Sequence, residues 1–316
     1  MPLQTPIAFF VYRRPQLTRA VFSEIARAKP ARLLLIADGP RSADEEKRCA
    51  AVRSVLKRID WDCELATNLS DANLGCRQRV ASGLDWVFEQ TDRAIILEDD
   101  CLPHPSFFGY CECLLERYAD DARIMSIAGV NYQDGTRRGA YSYYFSKYAH
   151  CWGWATWRRA WRHYDVDMRA WPAFRDAGGM AAYCPDPLEH AYWTARFDEM
   201  YEHAIDTWDY AWTFARWSRN GLGVIPNVNL VRNIGFGPDA THTVAAQQRQ
   251  ALPLADIGEL THPPRVLRDV EADTYTFERH FGGQRMRAAR RWHRRLARRI
   301  KGVSARLRRL LGTRGS

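Results

Sequence analysis

Arg93-Ala-Ile-Ile-Leu-Glu-Asp-Asp-Cys-Leu-Pro-His-Pro105 is the stretch that decides the fold. Ala94 to Leu97 is a short apolar run with two adjacent isoleucines. It reads as a strand buried on both faces of a parallel sheet. Glu98, Asp99 and Asp100 end the run without a break, and Pro103 and Pro105 stop it. Adjacent carboxylates repel, and chains rarely leave them at a strand end without a cation beside them. The edge beyond the carboxyl ends of parallel strands is also where open α/β sheets bind ligands. A hard divalent cation holding a diphosphate accounts for both features. A solvated acidic turn is the plainer alternative.

Outward from this stretch the pattern repeats. Pro6 to Tyr12 and Arg32 to Ala37 are two further buried strands, the second ending at Asp38-Gly39-Pro40. Leu17, Val21, Phe22 and Ile25 follow Arg13-Arg14-Pro15 at helical spacing, and a second helix is predicted over 44–59. A weaker strand spans 63–69. The turn Asn73-Leu-Gly75 then opens a helix bearing Val80, Leu84, Val87 and Phe88. A helix over 106–118 and a strand over 124–130 come after the acids. Such alternation predicts right-handed crossovers and a mostly parallel sheet with helices on both faces. No GxGxxG follows the first strand and no GxxxxGK[ST] occurs, so dinucleotide and P-loop readings lose their main support.

Residues 141–217 are crowded with tyrosine and tryptophan. Two explanations stand side by side: a second aromatic core, or flat rings placed against sugar. Gly223 to Val231 reads as one more strand, and Asn233 to Thr243 as a Gly-rich, polar lid.

Of the 316 residues, 46% are apolar and 26% charged, which fits a globular body large enough for a full core. The net charge of +9 misleads, because residues 285–316 hold 13 Lys/Arg and no Asp/Glu, leaving about −4 on the rest. In 285–311, Trp292, Leu296, Ile300 and Leu307 lie among arginines in a helical pattern. A basic amphipathic helix of this kind suits an anionic membrane surface, with nucleic-acid phosphate as the runner-up. No apolar run nears a membrane span, and no charged leader precedes the first strand. The expectation is a cytoplasmic protein, peripheral on the inner face of the plasma membrane. The eight cysteines form no CxxC pair or zinc spacing and read as free thiols.

Taken together, the N-terminal strand, Asp38-Gly39, Asn73-Leu-Gly75 and Glu98-Asp-Asp100 resemble a GT-A nucleotide-sugar glycosyltransferase. The chain is similar to the inverting N-acetylglucosaminyltransferases that begin N-glycan branching, and to bacterial hemolysin-like sugar transferases. Trp152-Gly-Trp154 looks like that family's acceptor-side Gly-Trp. Trp208-Asp-Tyr-Ala-Trp212 looks like its Trp-Asp-Asp-Trp with one residue inserted, and Ile225-Pro-Asn227 and the 235–242 loop follow in order. The likeness covers about residues 6–245.

The resemblance implies a GT-A fold with a nucleotide-sugar half (1–130) and an aromatic-rich acceptor and catalytic half (131–284), to which the charge pattern adds a basic tail (285–316). It implies transfer of a sugar from a UDP-sugar to a glycan or glycolipid, with Mn2+ or Mg2+ as cofactor. Arg13, Asp38 and Arg77 would contact the nucleotide. Asp100 would ligate the metal, Asp99 would face ribose or sugar, and His242 would approach the diphosphate. Trp152 and Trp154 would line the acceptor side, and Asp209 would be the general base. A helix-start aspartate also suits an N-cap role. The competing functions are a retaining transferase, a metal-dependent nucleotide-sugar hydrolase or nucleotidyltransferase, and a non-catalytic carbohydrate-binding protein.

Overall fold

A computed structural model describes residues 2–235 and 252–292. Strands β1 (Ile7–Val11), β2 (Arg32–Ala37), β3 (Glu64–Leu69) and β4 (Arg93–Glu98) are linked by helices α1 (Pro15–Ala28), α2 (Ala43–Arg53) and α3 (Gly75–Gln90). β5 (Cys101–Pro103), α4 (Ser106–Arg117) and β6 (Ile124–Ala128) follow, then β7 (Tyr143–Ser146) and β8 (Trp154–Trp157). Helices α5 (Arg158–Trp161), α6 (Trp171–Asp176), α7 (Gly179–Tyr183), α8 (Pro187–Tyr201) and α9 (Asp209–Trp217) build the second half. β9 (Leu222–Pro226), β10 (Val231–Asn233) and α10 (Val270–His280) follow, with a last helix over 283–292.

Eight strands form one sheet in the order β3-β2-β1-β4-β8-β6-β9-β7. The β3, β2, β1 and β4 neighbours are parallel, as are β6 and β9, while β8 and β7 run against their neighbours. This is the mixed, mostly parallel Rossmann-like α/β class expected. The sheet runs across residue 130, because β8 lies between β4 and β6.

Alternation explains why the central strands are apolar throughout. Ile7, Phe9, Val11, Leu33, Leu35, Ile95 and Leu97 pack on the face covered by α1, α2 and α4. Ala8, Phe10, Leu34, Ile36, Ala94 and Ile96 pack on the opposite face, beneath α3, α5 and α9. Each fully buried Ile, Leu or Phe contributes roughly 1.5–3 kcal/mol of transfer free energy.

Two expectations change. The strand predicted over 223–231 is two strands, because Pro226 offers no N–H to continue the ladder. The aromatic wealth of the second half is a core. Trp154, Trp157, Trp161, Trp171, Trp193, Trp208, Trp212 and Trp217 are each at most 3% exposed. The ring of Trp154 stacks on Trp208 at 5.4 Å and sits 5.7 Å from Trp212, so it offers no open face to a sugar.

Candidate active site

Register brings the candidate groups to one edge. In the parallel ladder Phe10 lies opposite Ile36 on β2 and Glu98 on β4. The residues that follow these strands, Arg13 and Arg14, Asp38, and Asp99 and Asp100, therefore emerge side by side. Strand order reverses between β1 and β4, the switch point at which open sheets form a crevice. A cleft opens there, lined among others by Tyr12, Arg13, Arg14, Asp38, Arg41, Asn73, Arg79, Glu98 and Asp99.

One wall is built around Asp38. Its Oδ1 accepts from the N–H of Gly39 and of Leu74, both at 2.9 Å, and its Oδ2 accepts from Asn73 Nδ2 at 2.8 Å. Asp38 thus ties the end of β2 to the turn before α3. Gly75 in that turn has φ +78°, where a side chain is strained. Arg41 donates to Asn73 Oδ1 at 2.9 Å. Glu45 accepts from Tyr12 Oη at 2.5 Å and from the Arg41 N–H at 2.8 Å, and it pairs with Arg13. The Tyr12 hydroxyl and Arg13 together hold the Glu45 carboxyl below its usual range, with the Tyr12 hydrogen bond the largest cause. Arg79 is buried, donates to the Asn68 carbonyl at 2.6 Å, and leaves its Nε without a partner.

The facing wall is acidic. Arg14 pairs with Asp99 and reaches Asp100 Oδ2 at 2.9 Å. The Tyr12 N–H donates to Asp99 Oδ2 at 3.3 Å. One guanidinium therefore serves two of three consecutive carboxylates. Burial, reinforced by Asp100, Asp99 and Asp209, pushes the Glu98 carboxyl well above the ordinary range against the opposing pull of Arg14. Burial also raises Asp99, with Arg14 opposing. Among the described residues no three His, Cys, Asp or Glu side chains are gathered as a ready metal cage. The donor set nonetheless suits a hard divalent cation. Asp99 and Asp100 already converge on one positive group, Arg14, and offer oxygen ligands.

The chain beyond β10 begins on top of these acids. β10 pairs with β5, and the Ile234 N–H donates to the Asp100 carbonyl at 2.8 Å. A Cβ on Gly235 would come within 2.3 Å of Asp100 Oδ2 and 2.9 Å of an Arg14 nitrogen. Only glycine fits so close to the ion pair. His242 lies outside the described residues, as does most of the 285–311 segment.

Arg77 sits elsewhere than expected. It does not line the cleft; it donates to the Val166 carbonyl at 2.6 Å and to Asp167 at 3.1 Å, and it contacts His203. The start of α3 is likewise taken, since Asp206 accepts from the N–H groups of Cys76 and Arg77 at 3.3 and 2.9 Å. Arg79, two residues on, faces the cleft instead. Trp152 is half-buried, edge-on to Tyr132. Asp209 opens α9 and accepts from Thr207 Oγ1 at 2.5 Å. It is half-buried, and close enough to β4 that its charge helps raise Glu98. Sequence reasoning gave no role to Arg14, Arg41 or Arg79. The signal for Arg14 was its place right after a strand, but its partners depend on which strand lies beside β1.

No protein-family model matches the chain, and no curated protein does. Among solved structures it is similar to a UDP-glucose pyrophosphorylase complexed with UDP-glucose (10% identity, TM-score 0.27, covering 45% of this chain and 62% of that one). It is also similar to 4-diphosphocytidyl-2C-methyl-D-erythritol synthase from Anaerococcus prevotii (7% identity, TM-score 0.37, covering 72% and 92%). A third is an apo UDP-glucose pyrophosphorylase (11% identity, TM-score 0.31, covering 49% and 78%). Overlaps this partial bear on neither activity nor substrate.

Proposed function

We propose that the chain is a glycosyltransferase that takes a sugar from a nucleoside-diphosphate donor, of which a UDP-sugar is the first to test, and moves it to a glycan or glycolipid hydroxyl with inversion. One observation carries the reading. Four arginines and the acidic end of β4 share one cleft at the switch point, and Asp209 from the second half lies within electrostatic reach of that strand end. Arg13, Arg41 and Arg79 would hold the anionic donor, and the Asp38–Asn73 wall would border the nucleoside. A divalent cation, Mn2+ or Mg2+, held by Asp100 with Asp99 beside it, would neutralise charge on the departing diphosphate. Asp209 would accept the proton of the attacking hydroxyl, worth roughly 10²–10⁴-fold in rate. Trp152 would border the acceptor.

The same reading places residues 285–311 on an anionic membrane surface. In the described part, a helix over 283–292 carries Arg285, Arg287, Arg290, Arg291 and an exposed Trp292. No helix among the described residues is long and apolar enough to cross a membrane.

The test is a panel of nucleotide sugars incubated with the protein and Mn2+, with and without glycan acceptors. The expected outcome is turnover of one donor, release of nucleoside diphosphate and a product of inverted anomeric configuration. A retained configuration removes Asp209 as base. Release of pyrophosphate from a nucleoside triphosphate and a sugar phosphate, with no nucleotide-sugar turnover, replaces the transferase with a nucleotidyltransferase.

A further inference from the structure

We infer that Arg14 is a stand-in cation: it occupies Asp99 and Asp100 until a divalent ion displaces it, and the released guanidinium then turns to the phosphates of the donor. The inference rests on the transferase reading for the identity of the anionic ligand, but its logic comes from the acids themselves.

Three consecutive carboxylates end β4, and Arg14 is the cation paired with two of them, Asp99 and Asp100. Arg14 and a divalent ion would need the same oxygens, so they compete for one place. Arg14 is also not sealed in. Its side chain is 22% exposed, and it lines the cleft together with Arg13, Arg41 and Arg79. A guanidinium leaving the acids therefore moves toward open cleft rather than into packed core. Beside it the backbone at Gly235 lies too close to Asp100 and Arg14 for a side chain. A change of partner at Arg14 would thus be felt at Gly235. Guanidinium groups bind phosphate oxygens in bidentate fashion as readily as carboxylates. One exchange would bind the ion and aim a phosphate-binding group.

Two consequences can be measured without turnover. Ion and nucleotide should help each other bind, and the effect must be reciprocal. Removing the charge of Arg14 should make the acids a better cation site. A merely structural Arg14 would have the opposite effect, because its loss would loosen the acids.

The experiment measures Mn2+ binding by electron paramagnetic resonance of the free ion, with and without UDP, for wild type, Arg14→Gln and Arg14→Lys. Wild type should bind Mn2+ weakly alone and more tightly with UDP. Arg14→Gln should bind Mn2+ alone about tenfold or more tightly, since a unit charge a few ångströms away outweighs that factor even at a surface-like dielectric. It should also lose most of the coupling to UDP. Arg14→Lys keeps a charge and should stay near wild type. Mn2+ affinity in Arg14→Gln equal to or weaker than wild type overturns the inference. Should that variant not fold, wild type decides alone: UDP and Mn2+ that bind with no mutual effect overturn it equally. Failure of UDP to bind wild type under any condition sinks the transferase reading instead, so the two failures are distinct.

Discussion

Two cations in this molecule, one buried and one half-buried, hold carboxylates in opposite ways. Lys147, 1% exposed, donates to Glu189 at 2.6 Å and to the Tyr183 carbonyl at 3.0 Å, and Glu189 also takes the Tyr148 hydroxyl. The aromatic cluster of Tyr148, Trp193 and Trp217 closes around that pair. Arg14 also holds carboxylates, but it faces two of them, a third lies beside them, and one side of the group borders a cleft. The first arrangement balances its charge and excludes water. The second has more negative charge than one arginine can match and leaves a path for a ligand. Burial and pairing alone do not mark a site; excess charge beside a cavity does.

The contrast breaks first at the acids. Asp100→Ala and Asp209→Ala should each lower transfer by about 10²-fold or more while unfolding midpoints stay near wild type. An active Asp100→Ala enzyme would remove the metal from the reading. Next comes Lys147→Met, which strands Glu189 in the core and should cost about 3–5 kcal/mol in denaturant unfolding, with UDP affinity of the folded fraction unchanged. Arg79→Met should weaken UDP binding about tenfold or more, because a charge-assisted hydrogen bond contributes about 1.5–3 kcal/mol, with little effect on the fold.

The smallest effect concerns pH. Burial and its acidic neighbours hold the Glu98 carboxyl above its unfolded value, so on raising pH the unfolded chain loses that proton first. Without added cation, stability should fall as pH climbs from the ordinary glutamate range through the raised folded value. Glu98→Gln should flatten that slope, by at most about 1.4 kcal/mol per pH unit. An identical slope in the variant would assign the pH dependence elsewhere.

Much of the first half was legible because its strands are short, apolar and punctuated. β1, β2 and β4 and the acids at the β4 terminus announce themselves locally. Arg14 was not legible as the partner of Asp99, since 85 residues separate them and only the β1–β4 pairing joins them. Arg77 misled for the opposite reason: an arginine after a Gly turn fits a phosphate site, but Asp206 and Val166 arrive from distant sequence to claim it and its helix end. The tryptophans carried no signal separating core from platform, because period and composition are the same for both. Their burial, with Trp154 stacked on Trp208, decides it.

The central claim is that a nucleoside diphosphate binds at the acidic end of β4 with a divalent ion. A calorimetric titration of UDP with Mn2+ into wild type and Asp100→Asn, run side by side, tests it most directly. Saturable binding to wild type and a loss of about tenfold or more in the variant is the predicted result, worth at least ~1.4 kcal/mol. No binding to wild type, or equal affinity in both proteins, would contradict it.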